Sequence, residues 1–255
     1  MSVDPFLDQT LTHMEKTLEG LAQRVPQPEK VPYNDGFVFR HVEKTVHQAL
    51  VQKLARLVSS LHAARLLWAY GFVQEQAAMQ RMLDELQEDI QFLAFGVIFE
   101  DWTALHDSYL SSFFEEEFDS DSAMSSSQKR PMIPRKKIRS WIASVEGVQD
   151  PSTGREATRT LSKAYSGYVH AASPHIMEMF GGNPPRFHMR GMAGSPKHAE
   201  HHADLWNYFY RGILAFAFAV KAFGDHEMFN SIKGFADEFL KDSGNDYLSK
   251  EWDKI

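Results

Sequence analysis

The chain contains no cysteine among its 255 residues. This absence excludes a disulfide scaffold, a cysteine-ligated zinc site and a thiol nucleophile. Basic residues are the minority, since 27 Lys+Arg face 34 Asp+Glu and the formal net charge is -7. That balance argues against a generally basic nucleic-acid binder, although a local basic patch remains compatible with it.

Long apolar runs and targeting signals are also missing. The longest uninterrupted apolar run spans residues 213–220, whereas a bilayer span needs roughly 18 to 20 residues. The first ten residues carry no basic segment of the kind that opens a signal peptide. No Gly-rich phosphate loop, dinucleotide fingerprint or serine nucleophile elbow occurs. We therefore expect a cytoplasmic protein that has no membrane partner.

The apolar residues that are present recur at helical spacing, and no segment of any length alternates as a strand does. Asp4-Pro5 and Ser195-Pro196 each read as a cap followed by the first helical position, and Asp35 is a candidate cap for a second helix. The predicted helices cover about residues 5–24, 37–70, 73–99, a stretch ending near 118, 153–172, 195–223 and 225–240. The sequence predicts an all-α fold, a single domain over residues 1–255 with five to seven helices in one bundle.

The composition changes abruptly in the middle of the chain. Five acids lie within residues 115–121, a Ser-rich stretch follows at 120–128, and six basic residues without an acid occupy 129–139. We expect a mobile loop over residues 119–135. The basic run is a candidate for phosphate contacts, but we favour a solvated loop that neutralises the acidic run before it.

The helix predicted at 153–172 carries the clearest candidate chemistry. Arg159, Lys163, Ser166 and His170 fall on one face of it, and an aromatic stripe that includes Tyr165 lies on roughly the opposite face. A cation beside a histidine can hold and cleave a phosphodiester, because the cation neutralises the phosphate and the imidazole moves protons near neutral pH. The alternative is a histidine that caps helix carbonyls beside a solvated basic face.

Two segments of the chain resemble a helical family of unknown function that is grouped with the HEPN superfamily. The first is Tyr-Ser-Gly-Tyr-Val-His-Ala-Ala-Ser at residues 165–173. The second is an Ala/Leu-rich stretch at 63–71 that ends in Gly, followed by Ala77 and by Gln-Arg-Met-Leu-Asp-Glu at 80–85. Together they cover about residues 45–172.

The resemblance implies an all-helical bundle, often dimeric, and in the active branches metal-independent RNA cleavage by an Arg followed four to six residues later by a His. His170 matches that histidine, and Lys163 stands at the longest allowed spacing where the family has Arg. The resemblance implies that His170 acts as acid and base. Lys163 and Arg159 would then hold phosphate, and Ser166 would donate a hydrogen bond to the substrate.

A second histidine cluster opens the helix predicted at 195–223. His198 and His202 are one turn apart with His201 adjacent, and two histidines at this spacing can chelate a transition metal. Any further ligands would come from other helices. The aromatic residues of the same helix, 206–223, suggest either a haem pocket or an ordinary core. The leading expectation is that no cofactor is bound, with a transition metal or haem as the alternative.

The connector at 181–194 is a candidate substrate-binding segment. Arg186, His188 and Arg190 interleave with Phe187 and Met189, a composition that suits RNA or another anionic ligand. Alternatively the two apolar side chains plug the core while the arginines stay in water. The sequence thus predicts an RNA-binding or RNA-cleaving HEPN-like protein, with a metal- or cofactor-binding helical enzyme and a non-catalytic interaction module as alternatives.

Overall fold

Helices dominate the chain, as predicted. The computed structural model describes residues 4–33, 35–117, 124–128, 130–145 and 165–243. Within these ranges there are eight helices and a further helical turn at 165–169, more than the five to seven expected. The helices are α1 (Pro5–Ala22), α2 (Val46–Ala69), α3 (Val73–Ile98), α4 (Ala104–Phe114), α5 (Arg135–Val145), α6 (Ser173–Met177), α7 (Pro196–Ala222) and α8 (His226–Ser243). Two short hairpins pair β1 (Glu29–Tyr33) with β2 (Gly36–Arg40) and β3 (Phe180–Gly181) with β4 (Arg186–Phe187).

The two helix starts predicted from a cap followed by proline are confirmed. The Asp4 carboxylate accepts a hydrogen bond from the Phe6 amide at 3.0 Å, and α1 begins at Pro5. The Ser195 hydroxyl accepts from the His198 amide at 3.2 Å at the start of α7. Each cap satisfies an amide that the first helical turn leaves unpaired, so local sequence alone determines these starts.

The predicted start of the second helix is wrong, as is the expected absence of strands. Residues 36–40 form β2 instead, and α2 begins later, at Val46. Thr45 and Gln48 form a reciprocal capping box there, since each side chain accepts a hydrogen bond from the other residue's amide. The aromatic and β-branched residues at 37–39 favour extended backbone.

The core lies where α2, α3 and α7 pack against one another, with α1 and α8 also packed on α7. The apolar stripe predicted on α2 is confirmed, because four of its leucines are completely buried: Leu50, Leu54, Leu57 and Leu61. The aromatic residues of α7 belong to the same core. Phe209 and Phe216 are buried, and the Trp206 ring lies 4.8 Å from that of Phe239. None of the helices in the described ranges is long and apolar enough to cross a membrane.

The second half of the basic run at 129–139 belongs to a helix, so the solvated loop favoured from the sequence is wrong for residues 135–139. Helix α5 begins at Arg135 and buries Ile138 and Ile142 on one face. Arg139 donates from Nε to a Glu88 carboxylate oxygen on α3 at 2.8 Å. Arg139 therefore neutralises an acid inside the fold, whereas Arg130, in the first half of the run, pairs with Glu117 of the acidic run at 3.2 Å, as predicted. The rest of the predicted 119–135 loop is only partly within the described residues, and its mobility stays a prediction.

His106 on α4 is buried as a neutral imidazole. Its Nδ1 lies 3.1 Å from the Thr103 amide, which can only donate, so Nδ1 accepts. Its Nε2 lies 3.2 Å from the Phe92 carbonyl oxygen, which can only accept, so Nε2 carries the hydrogen. The ring also lies parallel to that of Phe92 at 3.9 Å. Burial lowers the pKa of His106, because charging the ring would cost its solvation and set two donors against each other.

We expect acid to destabilise the protein through this histidine. Its pKa is lower in the folded than in the unfolded chain, where it is about 6.5. The stability it contributes is complete above pH about 6.5 and is lost as the pH falls below that value. The urea midpoint should therefore decrease between pH 7.5 and 5.5, and in an NMR titration the His106 ring should stay neutral below pH 6.5. A ring that takes its proton above pH 6.5 would contradict this assignment.

Candidate functional site

Two of the four residues on the predicted catalytic face lie in the described part of the chain. Ser166 belongs to the helical turn 165–169 and is half-buried, while the side chain of His170, just after that turn, is exposed. The His170 amide donates to the Ser166 carbonyl oxygen at 3.0 Å, so the two residues are one turn apart on the same face. Arg159 and Lys163 lie outside the described residues.

The opposite side of that turn faces the core, as the aromatic stripe predicted. The Tyr165 ring packs edge-on against Tyr208 of α7 at 6.0 Å. The Tyr168 hydroxyl donates to a Glu178 carboxylate oxygen at 2.9 Å, which folds the segment after α6 back onto the turn. Burial raises the pKa of both tyrosines 165 and 168. These contacts hold the turn with its Ser166 and His170 face outward.

The connector at 181–194 presents its arginines, Phe187 and Met189 to solvent, whereas its Met192 is buried. Arg186, Phe187, Met189 and Arg190 are all exposed, so Phe187 and Met189 do not plug the core as one alternative held. The rings of Phe187 and Phe180 contact each other at 4.9 Å across the β3–β4 hairpin. This hairpin therefore carries an exposed aromatic pair beside an exposed guanidinium.

The His188 side chain is half-buried and makes a hydrogen bond within the connector. Its amide donates to the Met179 carbonyl oxygen at 2.9 Å, and its Nε2 lies 3.2 Å from the Gly181 carbonyl oxygen. Because that carbonyl can only accept, Nε2 carries the hydrogen and donates. His188 thus joins the two strands of the hairpin, whereas the other two predicted substrate-binding residues, Arg186 and Arg190, are exposed to solvent.

The same end of the helical core holds both segments. The Gln74 side chain, in the first turn of α3, donates to the His175 carbonyl oxygen at 2.8 Å. The Met192 amide donates to the Gly71 carbonyl oxygen, in the turn between α2 and α3, at 2.7 Å. We call the exposed and half-buried residues carried there the end surface. It comprises Ser166, His170, Phe180, Arg186, Phe187 and Arg190.

The predicted metal cluster does not converge on a common point. His198 uses both ring nitrogens within the protein, since Nε2 donates to the Trp68 carbonyl oxygen at 2.7 Å and Nδ1 accepts from the Gly194 amide at 3.2 Å. His202 stacks on the Trp68 ring at 4.6 Å. His201 is buried elsewhere, with Nδ1 3.8 Å from an Asp204 carboxylate oxygen.

A metal ion therefore does not fit these three histidines. Coordination needs a free nitrogen lone pair, and His198 offers none. Over the residues whose structure is described, no three His, Cys, Asp or Glu side chains are grouped so as to hold a metal ion. His198 and His202 instead join the start of α7 to the end of α2 through Trp68.

Sequence reasoning missed a row of buried polar residues where α3 faces α7. Gln76, Gln80, Asp84 and Gln87 are at most 6% exposed, although they lie in the core. Asp84 accepts from the Arg211 guanidinium at 2.6 Å. We call this row the polar seam. Its sequence signal is a polar stripe at spacings of four, four and three along α3, a helix that also carries charged residues at other positions.

Comparisons of the chain with protein-family models, curated proteins and solved structures give no match. The resemblance of residues 45–172 to the HEPN-grouped family accordingly stays a prediction. The chemistry of the end surface rests on its own residues.

Proposed function

We propose that the chain is a HEPN-like protein that binds single-stranded RNA on its end surface and cleaves it without a metal, using His170. One observation carries the proposal. The exposed Phe180–Phe187 pair and the exposed Arg186 are folded onto the same end of the core as the exposed His170. Stacking rings, guanidinium groups and a proton-transfer group are then all exposed at that end of the fold.

The binding part of the proposal rests on the composition of this surface. Unpaired bases stack on aromatic rings and on guanidinium planes, and phosphates are attracted to cations. Phe180 and Phe187 are each 43% exposed, which leaves ring area open to a base. Arg186 and Arg190 supply positive charge in a protein of net charge -7. The open aromatic rings suit a single strand better than a duplex, because the bases of a duplex are already stacked and paired.

The catalytic part rests on the exposure of His170. In the proposed reaction the His170 imidazole takes the proton of a ribose 2′-hydroxyl. The resulting oxygen attacks the adjacent phosphorus, and the bond to the 5′ oxygen breaks. The imidazolium of His170 gives that proton to the leaving 5′ oxygen and returns to its neutral form, and the products are a 2′,3′-cyclic phosphate and a 5′-hydroxyl. Lys163 and Arg159 keep their predicted role of holding the phosphate, and Ser166 that of a hydrogen-bond donor.

The first test of the proposal is RNA cleavage in the presence of EDTA. We expect the wild type to cleave a mixed single-stranded RNA and His170→Ala to lose about 100-fold or more of the rate, the usual contribution of a general acid or base. His226→Ala is the matched control, because His226 is also exposed but opens α8. Cleavage that is unchanged in His170→Ala, or that EDTA abolishes, would contradict the proposal.

Binding is tested separately from cleavage. The double variant Arg186→Ala/Arg190→Ala should bind single-stranded RNA more weakly. The slope of log K against log salt should become shallower by about 1.4, because each phosphate that an arginine neutralises contributes roughly 0.7 to it. An unchanged slope would show that RNA does not contact these arginines.

A non-catalytic interaction module is the second candidate, and a specific observation favours it. Exposed apolar side chains gather at the same end of the fold, namely Leu66, Tyr70, Val169, Ile176, Met177 and Met189. Contiguous exposed apolar area marks binding surfaces, and interfaces are rich in aromatic residues, Met and Arg. This candidate predicts no cleavage by the wild type. The homodimer and the cytoplasmic location stay predictions.

A further inference from the structure

The β1–β2 hairpin lies outside the helical core. Nine of its ten strand residues are exposed, and only Val38 is half-buried. The Arg40 guanidinium donates from Nη2 to a Glu116 carboxylate oxygen at 2.9 Å, and the His41 ring donates from Nδ1 to the Pro26 carbonyl oxygen at 3.1 Å. These bonds hold the hairpin at its base, beside the start of α2, while its strands stay exposed.

One face of the hairpin is aromatic and open to solvent. Phe37 is 52% exposed and Phe39 is 57% exposed. Their rings contact each other edge-on at 5.5 Å, and the Lys30 ammonium lies 4.4 Å from the centre of the Phe37 ring. Leaving two large rings in water is unfavourable, and exposed apolar patches mark binding surfaces. This face is therefore a candidate for burial against another protein surface.

The register of the two strands shows which backbone groups of β2 point away from β1. The hairpin closes with only two residues between its strands, and the closing pair of such a hairpin is hydrogen-bonded. Because hydrogen-bonded and other pairs alternate along antiparallel strands, the pairs Lys30–Phe39 and Pro32–Phe37 are not hydrogen-bonded to each other. The backbone groups at these four positions therefore point outward, along the free edges of the hairpin.

The two free edges differ in their protection. On β1 the outward positions hold Lys30 and Pro32, and proteins use lysine and proline to prevent an edge strand from pairing. On β2 the outward positions hold Phe37 and Phe39, which are uncharged and keep their amide hydrogens. The Phe39 carbonyl oxygen accepts from the Arg40 guanidinium at 2.9 Å and keeps its second lone pair. The edge of β2 is therefore the one to which a further strand can add.

The edge of β2 is complementary to itself. When two copies pair antiparallel about a two-fold axis between their Val38 residues, Phe37 of each copy faces Phe39 of the other, so outward groups meet outward groups. The charges favour this direction, because Asp35 precedes the strand and the basic residues at 40–41 end it. Antiparallel pairing sets the acidic end of one strand beside the basic end of the other. The two-fold dimer is also the commonest form of oligomer.

We propose that the edge of β2 is a homodimer interface, at which a second copy of the chain adds its own β2 to form a four-stranded antiparallel sheet. The aromatic residues that then face each other across the strands stabilise the pairing. The four half-exposed rings offer roughly 300 to 500 Å² for burial, which is less than the roughly 1,200 Å² of the smallest stable complexes. The dimer is therefore weak, with a Kd in the micromolar range.

This interface is separate from the end surface. The hairpin precedes α2, whereas the end surface lies at the other end of that helix, about 36 Å away along its axis. Dimerisation through β2 therefore leaves the end surface open and does not depend on the proposed RNA cleavage.

Sedimentation velocity on the full chain measures the association. We expect the wild type to change from monomer to dimer as its concentration rises through the micromolar range. Phe39→Lys should increase the Kd about tenfold or more, because it removes two cross-strand aromatic pairs per dimer and places a charge on the edge. Since the Phe39 side chain is exposed, the substitution leaves the core unchanged.

Met189→Lys is the matched control. Met189 is 77% exposed but lies on the connector at 181–194, so this variant should dimerise as the wild type does. A wild type that stays monomeric at every concentration would overturn the proposal and leave the edge of β2 to an extended strand of another protein. A dimer that persists in Phe39→Lys, or that is lost in Met189→Lys, would overturn it by placing the interface elsewhere.

A disulfide experiment tests the register. Because the chain contains no cysteine, a single introduced cysteine can form a disulfide only with a second copy. The proposed axis sets the two Val38 residues opposite each other with their Cα atoms about 4.5 Å apart, within the range that a disulfide spans. Oxidation of Val38→Cys with diamide should therefore give a covalent dimer on a non-reducing gel.

Gly36→Cys is the control for the disulfide. Position 36 lies on the same strand, and a Cβ there would meet only the Tyr33 carbonyl oxygen, at 3.9 Å. The register separates the two copies of this position by about 14 Å, too far for a disulfide. Equal yields in the two variants, or no covalent dimer in a folded Val38→Cys chain, would overturn the proposal. If Val38→Cys fails to fold, the sedimentation result decides alone.

Discussion

Asp89→Asn is expected to lower the free energy of unfolding by about 3 to 5 kcal/mol, the cost of breaking a buried ion pair on one side. The Asp89 carboxylate is 5% exposed and accepts from the Lys53 ammonium at 2.7 Å. Lys53 is itself only 9% exposed, and Arg135 also binds the same carboxylate. Asparagine keeps the shape of the side chain but leaves a buried ammonium without its counter-charge. Urea unfolding at pH 7 measures the loss.

The matched control is Glu117→Gln, which removes a carboxylate paired with Arg130 at 3.2 Å but 62% exposed. Its effect should be below about 1 kcal/mol, since solvent screens exposed pairs. Although burial opposes its ionisation, the charges of Lys53 and Arg135 hold the pKa of Asp89 below its usual value. Its stabilisation is therefore complete above pH about 4, near the unfolded value, and is lost as the pH falls through the folded pKa. A loss under about 1 kcal/mol in Asp89→Asn would contradict the buried pair.

Gly71→Ala is expected to lower the free energy of unfolding by about 2 to 4 kcal/mol and to detach the connector at 181–194. Gly71 has φ +74°, where a side chain costs about 1 to 2 kcal/mol. A Cβ there would also lie 2.7 Å from the Met192 amide nitrogen and closer still to that of Ala193. The connector must therefore move. Urea unfolding measures the stability, and limited proteolysis within 181–194 measures the detachment.

Gly20→Ala is the control for this substitution. Gly20 lies within α1, and a Cβ added there meets no atom within 4 Å. Alanine should stabilise the protein by about 0.5 to 1 kcal/mol, because it restricts the unfolded chain and favours helix. If the proposed function is correct, Gly71→Ala also weakens RNA binding while Gly20→Ala does not. Equal stability of the two variants would contradict the close approach of the connector to Gly71.

The starts of α1 and α7 were predictable because each depends on neighbours in the sequence. Asp4-Pro5 and Ser195-Pro196 cap α1 and α7 by hydrogen bonds that span two or three residues. The β1–β2 hairpin was not predictable from the helical period, which continues back through residues 37–45. The Thr45–Gln48 capping box is the local signal that places the start of α2 correctly.

The candidate site was only partly predictable. Ser166 and His170 were expected on one face, and the structure places them one turn apart, with Ser166 half-buried and His170 exposed. The metal site was suggested by local spacing alone. It fails because the partner of His198 is the carbonyl oxygen of Trp68, 130 residues earlier in the chain. No pattern within one helix reveals a contact of that range.

By itself, the sequence determined the mainly helical fold, the apolar stripe of α2 and the starts of α1 and α7. Each of these follows from backbone hydrogen bonding and from periodic burial within a single segment. Only the tertiary structure decided that Arg135 neutralises Asp89, that Gln80 is buried without a partner among the described residues, and that the connector lies on Gly71. These outcomes depend on which side chains meet across helices, because desolvation and charge pairing are properties of the assembled core.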